Sequence, residues 1–473
     1  MKQVRQVTRV LRTGRRGQPW RLTAGATVAG LAVAAVAVSA AGPWDSGQRT
    51  AERDRAVALS RTGGAHHRPT APDGSDEPAP APSAPGVLAA PRAPAAASGP
   101  IAPVLEPLMT DPGLGPVLTA SVVDLTTGKQ LYGKNAGSPM TPASTIKIAT
   151  AVAALSATGP THRIPTTVVA APDHRTVTLV GGGDPTLDQE RLGALADGTA
   201  RALREHGVST VRLTFETSLY RGPVRHPIGT NDNIAPVTPL MLDEGRLDGS
   251  TRGPAGRAED PAHDAASAFV SLLTKRGINT EAGPDQGRRP AKAVTVARTL
   301  SAPMSALVER MLTNSDNDIA EALARQTAVA DGHPASFAGG QAAVTARLKR
   351  LKLPLAKVRL ADGSGLNRAD RVSAALLTGL LARAADPAHP ELRSVLTGLP
   401  VAGFTGTLTE RSEARTAGLV RAKTGSLTGV DTLAGTAVSA DGRLLAFAFM
   451  AGNTPSYGAG RPALDRMASA LIP

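Results

Sequence analysis

The chain has 473 residues, no cysteine, only 2% aromatic residues and a formal net charge of +13. That length calls for two or three domains with a real core built mainly from Ala, Val and Leu, and the lack of cysteine excludes disulfides, thiol catalysis, zinc–thiolate sites and a lipid-modified cysteine anchor. Seven of the positive charges (Lys2, Arg5, Arg9, Arg12, Arg15, Arg16 and Arg21) fall in the first 21 residues with no acid among them, so the rest carries about +6 and nucleic-acid binding loses its main support.

After this basic flank, Leu22 to Ala41 is a run of 20 uncharged residues, long enough to cross a bilayer, and residues 1–44 read as an export signal or membrane anchor. From 45 to 100 the composition turns to Pro, Ala, Ser and Gly, as in Pro78-Ala79-Pro80-Ala81-Pro82. Such a stretch buries too little apolar surface to offset its ordering entropy, which predicts a disordered, wall-spanning tether. Ordered chain is expected from Ile101. Val117 to Asp124 alternates and is rich in β-branched residues, Thr126-Thr127-Gly128 gives a turn, and Gln130 to Tyr132 returns, which predicts a hairpin. Pro142 suits the first turn of a helix running to about Leu155. Thr176 to Gly183 reads as a strand, Gln189 to His206 as a helix and Thr210 to Glu216 as a strand, an α/β unit of different texture. Met304 to Leu312 is a predicted helix, Ser315 to Asn317 a loop before a helix from about Asp318, and Asp362-Gly363-Ser364-Gly365 a turn. Val420 to Thr424, Leu433 to Ser439 and Leu444 to Met450 read as strands, the last two joined at Asp441-Gly442, with a closing helix from about Ala463.

Three short words fall in order on these elements: Ser144-Thr145-Ile146-Lys147, Ser315-Asp316-Asn317 and Lys423-Thr424-Gly425. Each alone has a plain structural explanation, as a helix cap, a capping turn and a strand end. The ordered trio is the S-x-x-K, S-D-N, K-T-G signature of serine enzymes that are acylated by penicillin. Only 10 of the 52 basic residues are lysine, and two of these stand in the motifs; arginine cannot release its proton in a protein, whereas a desolvated lysine can. Lys147, one helical turn from Ser144, is the candidate base for a serine hydroxyl that is otherwise a poor nucleophile. Ser315 and Asn317 would relay a proton and orient Lys147 or the substrate. Lys423 and the Thr424 hydroxyl would hold a carboxylate, Gly425 would allow close approach, and the amides of Ser144 and Ser426 would stabilise an oxyanion. No metalloprotease histidine pairing, nucleophile elbow or phosphate loop competes, and no metal or organic cofactor is needed.

Over roughly residues 105–455 the chain resembles the serine-type D-alanyl-D-alanine carboxypeptidases with a large insertion, the penicillin-binding protein 4 or DacB-like group (peptidase S13). Gly181-Gly182-Gly183-Asp184-Pro185-Thr186-Leu187, Asp362-Gly363-Ser364-Gly365-Leu366-Asn367-Arg368, Gly406-Thr407-Leu408 and Ala434-Gly435 carry the likeness, and Ser144 and Ser315 stand 171 residues apart, too far for a class A β-lactamase. The resemblance implies an α/β (α+β) multi-domain fold. Its transpeptidase/β-lactamase-like catalytic domain, a central antiparallel sheet flanked by helices, would span 101–175 and 298–473, with an inserted α/β domain at 176–297. It also implies an extracytoplasmic enzyme that hydrolyses the terminal D-alanyl-D-alanine bond of peptidoglycan stem peptides through a Ser144 acyl-enzyme, with β-lactams as covalent inhibitors. Endopeptidase action on cross-links stays open beside it. A departure from the family pattern is Asp243-Glu244-Gly245, where members end a comparable segment in Asp-x-Asn. The rival functions are a β-lactamase and a non-catalytic wall-binding or β-lactam-sensing protein.

Overall fold

The structure is a computed structural model that describes residues 101–229, 231–411, 416–439 and 441–472. The expected export segment and tether lie outside the described residues. Among the described residues no helix is long and apolar enough to cross a membrane.

Asp124 makes the first turn. Its Oδ1 accepts from the amides of Thr126 (2.8 Å) and Thr127 (3.0 Å), so strand β1 (Val117–Asp124) doubles back as β2 (Gln130–Lys134). The chain then enters a 3₁₀ turn, Ala143–Ile146, which leads into helix α1 (Lys147–Thr158). The helix expected from Pro142 is therefore split, with Ser144 on the tighter turn. Ala143, at φ +48°, is in the left-handed region, so a regular helix starts only beyond it. Lys147 through Leu155 are all buried, as befits a helix at the centre of a domain.

Strands β3 (Arg163–Ala170) and β4 (Thr176–Val180) follow, then helix α2 (Gln189–Glu205), strand β5 (Thr210–Glu216) and helix α3 (Pro261–Thr274). The short strands β6 (Asn279–Thr280) and β7 (Asp285–Gln286) precede the long β8 (Val294–Pro303). These form a six-stranded mixed sheet in which β4 runs parallel to β5 through α2, the order being β6-β5-β4-β3-β8 with β7 beside β5. The sheet extends past both limits expected for the insert, 176 and 297. β4 needs a partner for its second edge, and β3, antiparallel to both β4 and β8, supplies it.

Beyond β8 come helices α4 (Met304–Asn314), α5 (Asn317–Ala330), α6 (Phe337–Arg350) and α7 (Ala374–Ala385). The chain ends in strands β9 (Val420–Leu427), β10 (Val430–Val438) and β11 (Leu444–Gly452) and helix α8 (Arg461–Ser469). The five-stranded sheet is antiparallel throughout, in the order β2-β1-β11-β10-β9. Strand alternation sorts its side chains: Ala434, Ala446, Ala448 and Met450 face the core around α1, while Leu433, Leu445, Phe447 and Phe449 face the core around α8. Alanine on the first face lets the helices approach closely. On the second, the two phenylalanines stack at 5.1 Å, and each such buried side chain contributes about 1.5–3 kcal/mol.

Candidate active site

The 3₁₀ turn carrying Ser144 is tied to the five-stranded sheet, because Pro142 O accepts from Thr432 Oγ1 and from Thr145 Oγ1, each at 2.7 Å. Ser144 is half-buried and Lys147 fully buried. The lysine Nζ stands 3.0 Å from Ser144 Oγ, 2.7 Å from Asn317 Oδ1 and 2.6 Å from Ser364 O. Burial pushes the Lys147 ammonium down to about 8, against the opposing fields of Asp362, Asp316, Glu321 and Asp318. A side chain held on three oxygens and titrating near neutrality is geometrically and electrostatically fit to take a proton from Ser144.

Ser315-Asp316-Asn317 is a helix–helix corner. Ser315 ends α4 in the left-handed region at φ +60°, and Asp316 caps α5, its Oδ1 accepting from Ile319 N at 2.9 Å. The corner thereby turns Asn317 toward Lys147 and puts Ser315 on the cleft wall. Asn317 Nδ2 donates to Asn233 O at 3.0 Å, a contact from the inserted segment.

On the other side, β9 is an edge strand. Ala422 N donates outward to Pro400 O at 2.9 Å, so by alternation the amides of Thr424 and Ser426 also point to the open edge, beyond the cover of residues 400–402. Gly425 is required here: a Cβ would meet Thr432 Oγ1 at 2.3 Å, Pro142 O at 2.7 Å and Ser144 N at 3.0 Å. That closeness brings the Ser144 amide beside the strand. Thr424 Oγ1 donates to Thr407 Oγ1 at 2.9 Å, and Ser426 Oγ donates to Asp431 Oδ1 at 2.7 Å.

A cleft of about 380 Å³ runs between these walls, lined by Ser144, Ser315, Asn317, Thr424 and Ser426 and by four arginines, Arg246, Arg257, Arg411 and Arg461. Lys423 is placed differently from the expectation of direct substrate contact. It is fully buried behind the strand, its Nζ donates to Thr424 O at 2.7 Å, and it is not among the cleft-lining residues. Burial, then the fields of Lys147 and Arg411, push its ammonium well below the ordinary lysine value. Two cations reach the cleft on this side, Arg411, which pairs with Asp465, and Arg461, at the start of α8. Arg461 Nε donates to Ser426 Oγ at 3.1 Å and its guanidinium lies 4.6 Å from the ring centre of Tyr457, which is itself 62% exposed. Sequence reasoning missed Arg461 because arginine is abundant in this chain. Tyr457, one of three tyrosines, was the available signal.

Gly245 stands where the resemblance led us to expect asparagine, and Glu244 before it is buried behind the Ser315 corner. Glu244 accepts from Arg246 Nε at 2.9 Å and from Arg310, and Arg257 pairs with Asp318 at 2.9 Å. Burial, then the field of Asp316, pushes the Glu244 carboxyl up to about 8. Glu244, Asp316 and Asp318 converge closely enough to hold a cation, as do His226, Glu321 and Asp362. Arg246, Arg257 and Arg310 already balance the first set. In the second, the two carboxylates accept from His226 and from the backbone of the 362–365 turn.

A serine hydroxyl set against a buried lysine, between a helix corner and an edge strand of an antiparallel sheet, defines the class of penicillin-binding serine enzymes. Residues 102–256 and 247–471 match the model of the D-Ala-D-Ala carboxypeptidase 3 (S13) family. The chain is 36% identical over 381 residues to a carboxypeptidase of Mycobacterium tuberculosis, covering 76% of this chain and 81% of that protein. It is 35% identical over 383 residues to the carboxypeptidase DacB of Mycolicibacterium smegmatis, covering 77% and 82%. Penicillin-binding protein 4 (DacB) of Haemophilus influenzae has the same fold, with a TM-score of 0.66 at 22% identity over 78% of this chain and 98% of that one. A second structure of that protein holds a β-lactam, with a TM-score of 0.62 at the same identity and coverage. The chain belongs to the D-Ala-D-Ala carboxypeptidase 3 (S13) family.

Proposed function

We propose that the chain is a serine-type D-alanyl-D-alanine carboxypeptidase in which Ser144 is the nucleophile and Lys147 its base. The observation that carries this is the 3.0 Å contact between Lys147 Nζ and Ser144 Oγ at the floor of the cleft. Ser144 Oγ attacks the carbonyl carbon of the penultimate D-alanine while Lys147 takes its proton. The amides of Ser144 and Ser426 hold the oxyanion, and Asn317 keeps Lys147 aimed. When the C–N bond breaks, Ser315 passes its hydroxyl proton to the leaving D-alanine and recovers one from the Lys147 ammonium. Lys147, neutral again, then takes a proton from the water that attacks the acyl carbonyl, and that proton goes to Ser144 Oγ as the acid product leaves. Thr424 and Arg461 receive the terminal carboxylate, with Gly425 allowing the approach and Lys423 acting through its field from behind the strand. The same chemistry on a D-alanyl cross-link, where the leaving amine belongs to a second stem peptide, gives endopeptidase action. β-Lactams acylate Ser144 in place of the peptide. Peptidoglycan lies outside the cytoplasm, so the enzyme works there, anchored or exported through residues 1–44 and spaced by 45–100.

Mass spectrometry after exposure to benzylpenicillin and to a D-alanyl-D-alanine peptide tests the function. The expected result is a penicilloyl adduct on the peptide containing Ser144, slow release of that adduct, and free D-alanine from the peptide substrate, all lost in Ser144→Ala. Adduct on another serine would sink the assignment. Rapid penicilloyl release would make the protein a β-lactamase, and a stable adduct without D-alanine release a sensor.

A further inference from the structure

Lys147 is held from behind by a turn, and that turn is gripped from the inserted segment. Ser364 O, which accepts from Lys147 Nζ at 2.6 Å, lies in the turn Asp362–Gly365. Glu321 Oε1 accepts from the amides of Gly363 and Ser364, both at 2.9 Å. Asp362 accepts from Gly365 N through Oδ1 (2.6 Å) and, through Oδ2, from Asn367 N (2.7 Å) and Ser364 Oγ (3.1 Å). Asp362 Oδ2 also meets His226 Nε2 at 2.9 Å, both side chains being fully buried, and the Asp370 carboxyl bonds to the Asp362 carboxylate as well. The imidazole tautomer follows from its other nitrogen. Ile228 N–H donates to Nδ1 at 3.3 Å, so Nδ1 holds the lone pair and Nε2 the proton. The ring also packs edge-on against Phe337, at 5.4 Å and 79°.

We propose that His226 is a positioning residue for the catalytic lysine: its Nε2–H fixes the Asp362 carboxylate, which fixes the turn whose Ser364 carbonyl aims Lys147 at Ser144. The inserted segment then shares in catalysis. The inference rests on Lys147 being the base, and the charged groups facing that lysine are Asp362, Asp316, Glu321, Asp318 and Lys423, with Arg325 balancing Glu321 and the Asp370 carboxyl bonded to Asp362.

Two variants isolate the bond. His226→Phe keeps the ring and its packing but loses the donor, whereas His226→Gln returns an N–H near the Nε2 position. Both lose the acceptor for Ile228, so their difference reports on Asp362. Stopped-flow acylation by benzylpenicillin over a pH series is the measurement. In His226→Phe the acylation rate constant should fall about 10-fold, as for loss of one hydrogen bond, with the non-covalent dissociation constant unchanged. Its acid limb should move to lower pH, because an ammonium deprived of a well-aimed carbonyl gives up its proton more readily. His226→Gln should recover most of the rate and the wild-type limb. Should His226→Phe not fold, His226→Asn, too short to reach Asp362, replaces it. Wild-type rates in the donor-less variant would overturn the proposal, as would equal slowing of both variants with the limb unmoved, the mark of a merely structural role. Failure of wild-type Ser144 to label at all would instead remove the premise that Lys147 serves this serine.

Discussion

At the residue scale, the two motif lysines meet different atoms, and the proposed mechanism gives them different work. Lys147 points at a hydroxyl and must be neutral to accept its proton. With its ammonium lowered to about 8, the neutral fraction grows as pH rises, so acylation should climb from pH 6 and level off above about 8. Lys147→Arg, which keeps the charge but cannot be deprotonated, should cost about 100- to 10,000-fold in single-turnover acylation of the folded variant. Acylation at the wild-type rate would take the base role from Lys147. Among the described residues Lys423 Nζ donates to the carbonyl of Thr424, and in the proposed mechanism the contact with a substrate carboxylate would fall to Arg461. Arg461→Gln is the probe; it also takes away the guanidinium 3.6 Å from the buried Asp431, which still accepts from Ser426 Oγ at 2.7 Å and Gly460 N at 3.0 Å. The variant should lose about 10- to 150-fold in kcat/KM on the acid substrate, the worth of a charge-assisted hydrogen bond, and almost nothing on the C-terminal amide. Equal losses on both would show that Arg461 supports the strand and does not bind the carboxylate.

At the element scale, the corner between α4 and α5 carries its charges inward. Glu244 has an unfolded value of 4.5 and a folded value of about 8, so the native state holds this proton more tightly between those values. Stability from this group is therefore complete below about pH 4.5 and declines as pH rises toward 8. Asp318, raised to about 7 by burial and then by Asp316, works in the same direction. Glu244→Gln removes one titrating group while keeping an amide that can still accept from Arg246. Its melting temperature should fall less than that of wild type between pH 5 and pH 8, and parallel declines would place the buried proton elsewhere. How well sequence foretells such elements depends on how local their cause is. The hairpin of β1 and β2, the Ser315 corner and the strands β9 to β11 were legible because alternation, capping residues and turn residues specify them within a few positions. The pairing of β3 with β8 was not, since it joins segments more than 120 residues apart and β8 is too exposed to show a strong pattern. Helices α6 and α7 went unremarked in alanine-rich sequence, where periodicity is weak. The split at Ser144 was hidden too, because nothing local announces a left-handed Ala143.

On the scale of the whole molecule, the residues of the proposed site are gathered from distant stretches of the chain. Ser144 and Lys147 precede the second sheet, Asn233 and His226 come from the segment after β5, and Thr424 and Arg461 come from the last sixty residues. Among the described residues, those that line the cleft fall between Ser144 and Arg461, and we expect residues 1–100 to be dispensable for the chemistry. On the sequence reading, those hundred residues would add location: a basic flank and 20 uncharged residues that suit a membrane, then a Pro/Ala-rich spacer. A chain starting at Ile101 should therefore fold, label at Ser144 with the full-length rate constant and remain in the soluble fraction. The full-length chain should sediment with membranes if the apolar run is retained, and appear in the medium if it is cleaved. A reporter fused after Pro100 should be active only outside the cytoplasm. If the shortened chain folded by circular dichroism but labelled slowly, residues before Ile101 would have to reach the cleft, and the division between targeting segment and enzyme would be wrong.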